Sequence, residues 1–190
     1  MKKSKVLVID NYDSFTYNLV YILRELGVEP DIFRNDQIKI AEIEKYDKIL
    51  LSPGPGLPDD AGIMNETIKF YGKNKSILGV CLGHQGIAQV YNSKLYNLTS
   101  VLHGVTSKLS VLKNDDKLFK GLPSQFDVGL YHSWAVDKET LSPELEITAI
   151  NDSGIVMAIS HRKYDVVGLQ FHPESIMTKF GKPLIKNWLE

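Results

Sequence analysis

A single cysteine, Cys81, stands in the run Gly79-Val80-Cys81-Leu82-Gly83-His84-Gln85, with a glycine two residues before it and another two after. An apolar run ends there and a helical pattern begins, so the arrangement reads as a nucleophile elbow with sulfur in place of the usual hydroxyl. The flanking glycines are needed because such a sharp turn brings neighbouring backbone too close for side chains. The junction would put the sulfur at the positive end of a helix, where the thiolate form is favoured. A free cysteine more often serves as a small buried hydrophobe, but that use requires neither glycine.

A nucleophilic thiol needs a base, and the base needs an orienting group. The chain has five histidines. His172 lies in Gln170-Phe171-His172-Pro173-Glu174-Ser175, directly after an apolar strand pattern. Pro173 restricts His172 to extended backbone, in which residues two apart project to the same side. His172 and Glu174 therefore suit a base and its orienter. An acyl-transfer intermediate also needs two donors for its oxyanion. The backbone N–H of Leu82 is one candidate, and Gly56, in the stiff loop Ser52-Pro53-Gly54-Pro55-Gly56, is the other.

The elements that must position these groups follow from hydrophobic periodicity. Val6–Ile9, residues 29–33, Lys48–Leu51 and Ile77–Val80 read as short buried strands. Between them, apolar residues from Phe15 to Leu26 fall on one helical face, and further helices are expected from about Gly62 to Tyr71 and from Leu82 to Tyr91. Asp13 or Ser14 is placed to cap the first helix and Gly27 to end it. Phe15 shares a face with Leu19 and Ile22 and reads as core, leaving Tyr12 as the exposed aromatic at that edge. Beyond residue 93 the pattern is strand-rich, with candidates at 104–113, 127–131, 144–150, 155–160 and 165–170, then a helix from Lys182 to Leu189. Fully apolar strands alternating with helices imply a parallel sheet covered on both faces. The expected fold is α/β: a flavodoxin-like open, mainly parallel sheet with helices on both faces and an antiparallel extension in the second half. No linker-like stretch divides it, so residues 1–190 read as one domain. The three candidate catalytic residues then fall at carboxyl ends of strands, where sites on open α/β sheets collect.

Composition narrows the field. Hydrophobic residues make up 43% and charged residues 24%, as in ordinary globular chains, and 22 basic residues against 23 acidic ones leave a net charge of −1. Basic residues are scattered, so neither nucleic acid nor a membrane surface is expected as a partner. The basic start Met1–Lys5 is followed by only four apolar residues before Asp10, too few for an export signal. One cysteine excludes an intramolecular disulfide and thiol-rich zinc sites, and points to a reducing, cytoplasmic setting. The histidines lack His-Glu-x-x-His spacing, and no Cys-x-x-Cys follows His172-x-Glu174, so no catalytic metal is expected.

Taken in order, Asp10-Asn11-Tyr12-Asp13-Ser14-Phe15-Thr16, Ser52–Gly56, Gly79–Gln85, Tyr131-His132-Ser133 and Phe171-His172-Pro173-Glu174-Ser175 resemble the class I, or triad, glutamine amidotransferases. The early Asn-Tyr-Asp-Ser-Phe stretch narrows the resemblance to the anthranilate synthase component II and aminodeoxychorismate synthase component II branch, active in tryptophan and folate biosynthesis. It implies Cys81 as nucleophile, His172 as base and acid, and Glu174 as orienter. It further implies L-glutamine bound by Gly54, Pro55, Gly56, Leu82, the Gln85 side chain and the backbone of Ser133 and Trp134. The implied partner is a chorismate-binding synthase subunit in a hetero-oligomer. Mg²⁺ would reside in that partner and no cofactor in this chain. Two positions depart from the family pattern: Val105 replaces a frequent Lys after His-Gly, and Leu130 replaces a frequent Arg before Tyr-His-Ser. The alternative is a partner-independent cysteine hydrolase on a related flavodoxin-like fold. A non-enzymatic receiver-like domain, suggested by Asp10 and Asp13, would leave the cysteine elbow and the His-Pro-Glu run without a use.

Overall fold

The computed structural model describes residues 4–190. Met1–Lys3, the core of the basic start considered above as an export signal, lie outside the described residues. Strands β1 (Val6–Asp10), β2 (Asp31–Arg34), β3 (Lys48–Leu51) and β4 (Ser76–Val80) alternate with helices α1 (Thr16–Glu25), α2 (Met64–Tyr71) and α3 (Leu82–Val90). There follow β5 (Leu95–Val111), β6 (Gln125–Val136), β7 (Leu145–Asn151), β8 (Val156–His161), β9 (Val166–Leu169) and helix α4 (Gly181–Leu189). All nine strands form one sheet in the order β2-β1-β3-β4-β9-β8-β7-β5-β6. The run β2-β1-β3-β4-β9 is parallel and every later ladder is antiparallel. Five strands thus form a parallel part, and the antiparallel extension expected from the sequence adds four longer ones.

The period of two along buried strands explains the layers. Val6 and Val8 point into one apolar cluster with Leu19 and Leu23 of α1 and Leu184, Ile185 and Trp188 of α4. Leu7 and Ile9 point the other way, into a second cluster with Met64 and Ile68 of α2 and Ile87 and Ala88 of α3. Each side of a two-sided apolar strand thus receives its own pair of helices.

Three sequence expectations need correction. The strand read as 104–113 is β5, 17 residues long from Leu95, and that read as 127–131 is β6, 12 residues long. The early part of β5 escapes detection because most of it is exposed and irregular: its pairing with β6 shifts register between Asn97 and Leu102 and again near Gly104, which has φ +67°. Neither Asp13 nor Ser14 occupies the N-cap position of α1, although Asp13 Oδ1 accepts the Phe15 N–H at 2.7 Å in the turn that leads into the helix, as a capping residue would. That position falls to Phe15, which makes no side-chain cap, while Asp10 Oδ1 accepts from the backbone of Tyr12 (3.0 Å) and from the Thr16 hydroxyl (2.9 Å). Lastly, Phe15 is 37% exposed and belongs to the surface, because it precedes the first helical turn and so escapes the α1 face on which Leu19 is buried.

Gly181 opens α4 against the loop after β9. A Cβ added there would overlap the Pro173 carbonyl oxygen, so only glycine lets the helix seat. Gly181→Ala is expected to cost about 1–3 kcal/mol through overpacking and to lower the melting temperature by at least about 2 °C, measured by thermal denaturation. An unchanged melting temperature would show that the Pro173 loop yields freely.

Candidate active site

The carboxyl ends of β1, β3, β4 and β9 lie along one edge of the sheet, and each delivers part of the site. At the end of β4, Cys81 adopts φ 52°, ψ −99°, a left-handed conformation that a non-glycine residue holds only at a cost of about 1–3 kcal/mol. Its N–H donates to the Leu169 carbonyl of β9 at 2.7 Å, fixing the turn from its neighbour. Both flanking glycines are sterically required. A Cβ on Gly79 would collide with the Gly83 carbonyl group, and one on Gly83 would stand 2.6 Å from the Leu51 carbonyl oxygen of β3. The thiol sits at the start of α3, 6% exposed.

The loop after β9 brings His172 to the same place. Its Nδ1–H donates to Glu174 Oε1 at 2.6 Å, and both side chains are buried. Burial alone would drive the His172 pKa down. The Cys81 sulfur and the Glu174 carboxylate, both close and both able to carry negative charge, outweigh it and raise the value to about 10. His172 therefore holds its proton at neutral pH. Its Nε2 makes no hydrogen bond of good geometry, although it lies near enough to the sulfur to feel it, a looseness common in unliganded sites.

Thr178 clamps this loop in a way the sequence did not signal. Its hydroxyl donates to the His172 carbonyl at 2.7 Å and accepts the Gly129 N–H at 3.0 Å, while His172 N–H donates to the Gly129 carbonyl at 3.1 Å. Phe15, displaced from the core, approaches His172 edge-on at 6.2 Å and Tyr131 at 5.6 Å. The His172 ring is thus flanked by the rings of Phe15 and Tyr131.

The Ser52–Gly56 loop follows β3 as expected, and Asn11 pins it. Asn11 N–H donates to Ser52 Oγ and its side-chain amide to the Ser52 carbonyl, both at 2.8 Å. A Cβ on Gly54 would stand 2.6 Å from Asn11 and 2.8 Å from Leu82, so this loop approaches the elbow closely. Gly56 takes φ +74°. The structure thereby brings Gly54, Leu82 and Cys81 together. Asn11 was read from the sequence only as part of a surface edge, and its structural task is new.

On the opposite side, Gln85 is buried and its Nε2 donates to the Trp134 carbonyl (2.9 Å) and to Gln170 Oε1 (3.2 Å). Both amide hydrogens of Gln85 are committed, so only its carbonyl oxygen remains to meet a ligand. The Trp134 carbonyl is also occupied twice, since His132 Nδ1–H donates to it at 2.8 Å. A cleft of about 390 Å³ opens beside Trp134 and is lined by Leu57, Gln89 and Leu95 among others, but by none of the three catalytic candidates. Val105 and Leu130, the two departures from the family pattern, face each other across the β5–β6 ladder; Leu130 is buried and Val105 is 38% exposed. Among the described residues, no three His, Cys, Asp or Glu side chains gather as metal ligands, and no helix is long and apolar enough to cross a membrane.

Comparison with known proteins agrees with this geometry. The family described as glutamine amidotransferase class-I matches residues 7–190. The aminodeoxychorismate/anthranilate synthase component 2 of Bacillus subtilis is 47% identical over 188 residues, covering 97% of this chain and 95% of that one. The aminodeoxychorismate synthase component 2 of Escherichia coli is 42% identical over 186 residues, covering 97% and 98%. A solved glutamine amidotransferase from Thermotoga maritima shares the fold at 16% identity, with a TM-score of 0.77 over 100% of this chain and 98% of that one.

Two further histidines set a pH limit. Burial pushes His84 down to about 3 and His132 down to about 4. Unfolded, both would titrate near 6.5, so the stability contributed by their neutral folded forms is complete above that pH and is lost progressively as pH falls towards 4 and then 3. The melting temperature should fall between pH 6.5 and 5, above the range of most carboxylates, and should fall less steeply in His84→Gln. Equal slopes in a thermal-denaturation series would show that His84 takes no part.

Proposed function

The chain belongs to the class-I glutamine amidotransferases, and from that footing we propose that it is the glutaminase subunit of a chorismate-utilising synthase, hydrolysing L-glutamine and supplying ammonia to its partner. The observation that carries this reading is the convergence of the Cys81 elbow with the buried His172–Glu174 pair, whose bond is 2.6 Å long. Relatives named as component 2 of both anthranilate and aminodeoxychorismate synthases support the partner's class.

In this mechanism Cys81 thiolate attacks the side-chain amide carbon of glutamine. The oxyanion is received by the N–H groups of Leu82 and Gly56, and His172, which holds its proton at neutral pH, gives it to the departing nitrogen. Ammonia leaves and a γ-glutamyl thioester remains. His172 then takes a proton from water, whose oxygen attacks the thioester carbon, and glutamate departs as the thiolate re-forms. Glu174 orients the imidazole and stabilises its charged form. Gly54, Pro55 and Gly56 shape one wall of the substrate site, and Gln85, through its free carbonyl oxygen, with the Ser133 and Trp134 backbone forms the other. Because both lone pairs of the Trp134 carbonyl are taken, the Gln85 oxygen is the acceptor this wall offers. Mg²⁺ belongs with chorismate in the partner, and no residue of this chain is asked to hold a cofactor. A thiol working as its thiolate suits a reducing compartment, so the reading places the protein in the cytoplasm.

The partner is expected at the aromatic edge over the triad. Tyr12 is 47% exposed in a left-handed conformation (φ 63°), with its hydroxyl donating to Asp36 and the Arg34 guanidinium 4.7 Å from its ring centre. A half-exposed aromatic held in place by Asp36 and Arg34 suits an interface anchor.

Cys81→Ser should abolish glutamine-dependent synthesis in the reconstituted complex while leaving synthesis from ammonium salts largely intact, as product formation under the two nitrogen sources will show. His172→Ala should lose about 10²–10⁴-fold in glutaminase rate, and Glu174→Ala less; steady-state kinetics ranking them the other way would exchange their roles. Tyr12→Ala should weaken association with the synthase subunit and the stimulation of glutaminase together, read by titration calorimetry and ammonia release. Reconstitution with each class of synthase subunit, followed by product identification, assigns the pathway. A chain fully active alone and indifferent to either subunit would instead be a free-standing hydrolase.

A further inference from the structure

Gln170 is fully buried and stands where β9 ends, beside the elbow that β4 delivers. Its backbone N–H donates to the Met157 carbonyl of β8 at 2.8 Å, while the preceding residue, Leu169, receives the Cys81 N–H. The side chain is consequently anchored one residue from the bond that fixes the nucleophile. Its Nε2 lies 3.6 Å from Cys81 Sγ, a usual separation for a hydrogen bond to sulfur, and its Oε1 accepts from Gln85 Nε2 at 3.2 Å.

Which end of an amide faces the sulfur decides its effect, and the surrounding network fixes the answer. A backbone carbonyl can only accept, so the Gln85 atom 2.9 Å from the Trp134 oxygen must be the nitrogen. That nitrogen's second hydrogen meets Gln170, so the Gln170 atom facing it must be the oxygen. Reversing Gln170 would set two donors against each other and aim a carbonyl oxygen at the sulfur. The Trp134 carbonyl thereby dictates, through two glutamine side chains, that an N–H points at Cys81.

We infer that Gln170 is a further catalytic residue, a buried donor that stabilises the Cys81 thiolate. This rests on the reading of Cys81 as the nucleophile. The hydrogen bond is strongest when sulfur carries full negative charge, which is before the attack and again at the end of each turnover. In deacylation, the water oxygen bonds to the acyl carbon, the carbon–sulfur bond breaks, and its electron pair returns to sulfur. The Gln170 N–H meets that charge as it forms. Loss of the donor should therefore raise the pH at which the thiolate forms and slow the expulsion of thiolate from the thioester. It should leave glutamine affinity nearly untouched.

The test uses Gln170→Met, similar in length but without a donor, and Gln170→Glu, which keeps an acceptor for Gln85 but turns an oxygen towards sulfur. The pH dependence of Cys81 alkylation by iodoacetamide is read in the full chain, and glutaminase kinetics in the complex with the synthase subunit. In Gln170→Met the pH of half-maximal alkylation should rise by about one unit and kcat should fall about tenfold, the scale of one hydrogen bond to a charged group, with KM nearly constant. Gln170→Glu should shift at least as far in the same direction. Should Gln170→Met fail to fold, the Gln170→Glu profile decides alone. A purely structural role would lower the melting temperature and leave the alkylation midpoint in place, and that result in either folded variant overturns the inference. Failure of the underlying reading looks different: wild-type protein alkylated at Cys81 would keep its glutaminase activity.

Discussion

The constraint on which the site depends is the left-handed turn at Cys81. Holding a cysteine at φ 52° requires glycine at 79 and 83, a hydrogen bond from Cys81 N–H to Leu169, and close packing of α3 against the Leu51 end of β3. Each of those contacts belongs to a different strand of the parallel part, so the strain is distributed over β3, β4 and β9 and the sheet order itself holds the nucleophile in place. The same packing leaves the thiol buried at a helix start and accessible from one side, the side on which His172 and the Ser52–Gly56 loop arrive. Strain of this kind persists only where the surroundings over-determine it, and here three strands do so.

Much of this was legible in the sequence because the signals were local. Four of the five parallel strands, β1, β3, β4 and β9, announce themselves as short apolar runs, and Gly-x-Cys-x-Gly and His-Pro-Glu encode backbone geometry within a few residues. What was not legible depends on neighbours remote in sequence. Thr178 and Asn11 are ordinary polar residues whose tasks exist only once Gly129 and Ser52 lie beside them. Phe15 fitted a helical face by spacing, yet the chain turns into α1 one residue later, and the ring goes to the surface against Tyr131. The length of β5 was hidden for the opposite reason: an exposed, bulged strand has no apolar alternation to read. The family resemblance supplied roles for Gln85 and Trp134, and the hydrogen bonds around them show which of their atoms are already engaged.

The buried polar network around the site is close to fully paired on its protein side and open on the side of the substrate. Gln85, Gln170 and the Trp134 carbonyl satisfy one another and the carbonyl also takes the His132 Nδ1–H, and such networks hold their members rigidly because any lost bond leaves a buried group unpaired. Buried atoms without a partner lie at His172 Nε2 and Glu174 Oε2, and also at His132 Nε2. The two glutamines and the Trp134 carbonyl shape one wall of the site by rigid pairing, while His172 keeps an open valence.

The position of β9 has a consequence for how the molecule comes together. It is the fifth strand of nine in space, with four strands on either side, yet every other strand of the sheet precedes it along the chain. Within the sheet, the parallel and antiparallel ladders meet only at this strand, with β4 on one flank and β8 on the other. Until that strand pairs, β4 and β8 each lack a neighbour on their inner edge. Pairings between residues so distant in sequence are slow to form, and β9 is followed immediately by His172. The step that closes the two edges is the same step that brings His172 towards Cys81, so a chain in which β9 has not paired carries the thiol without the imidazole.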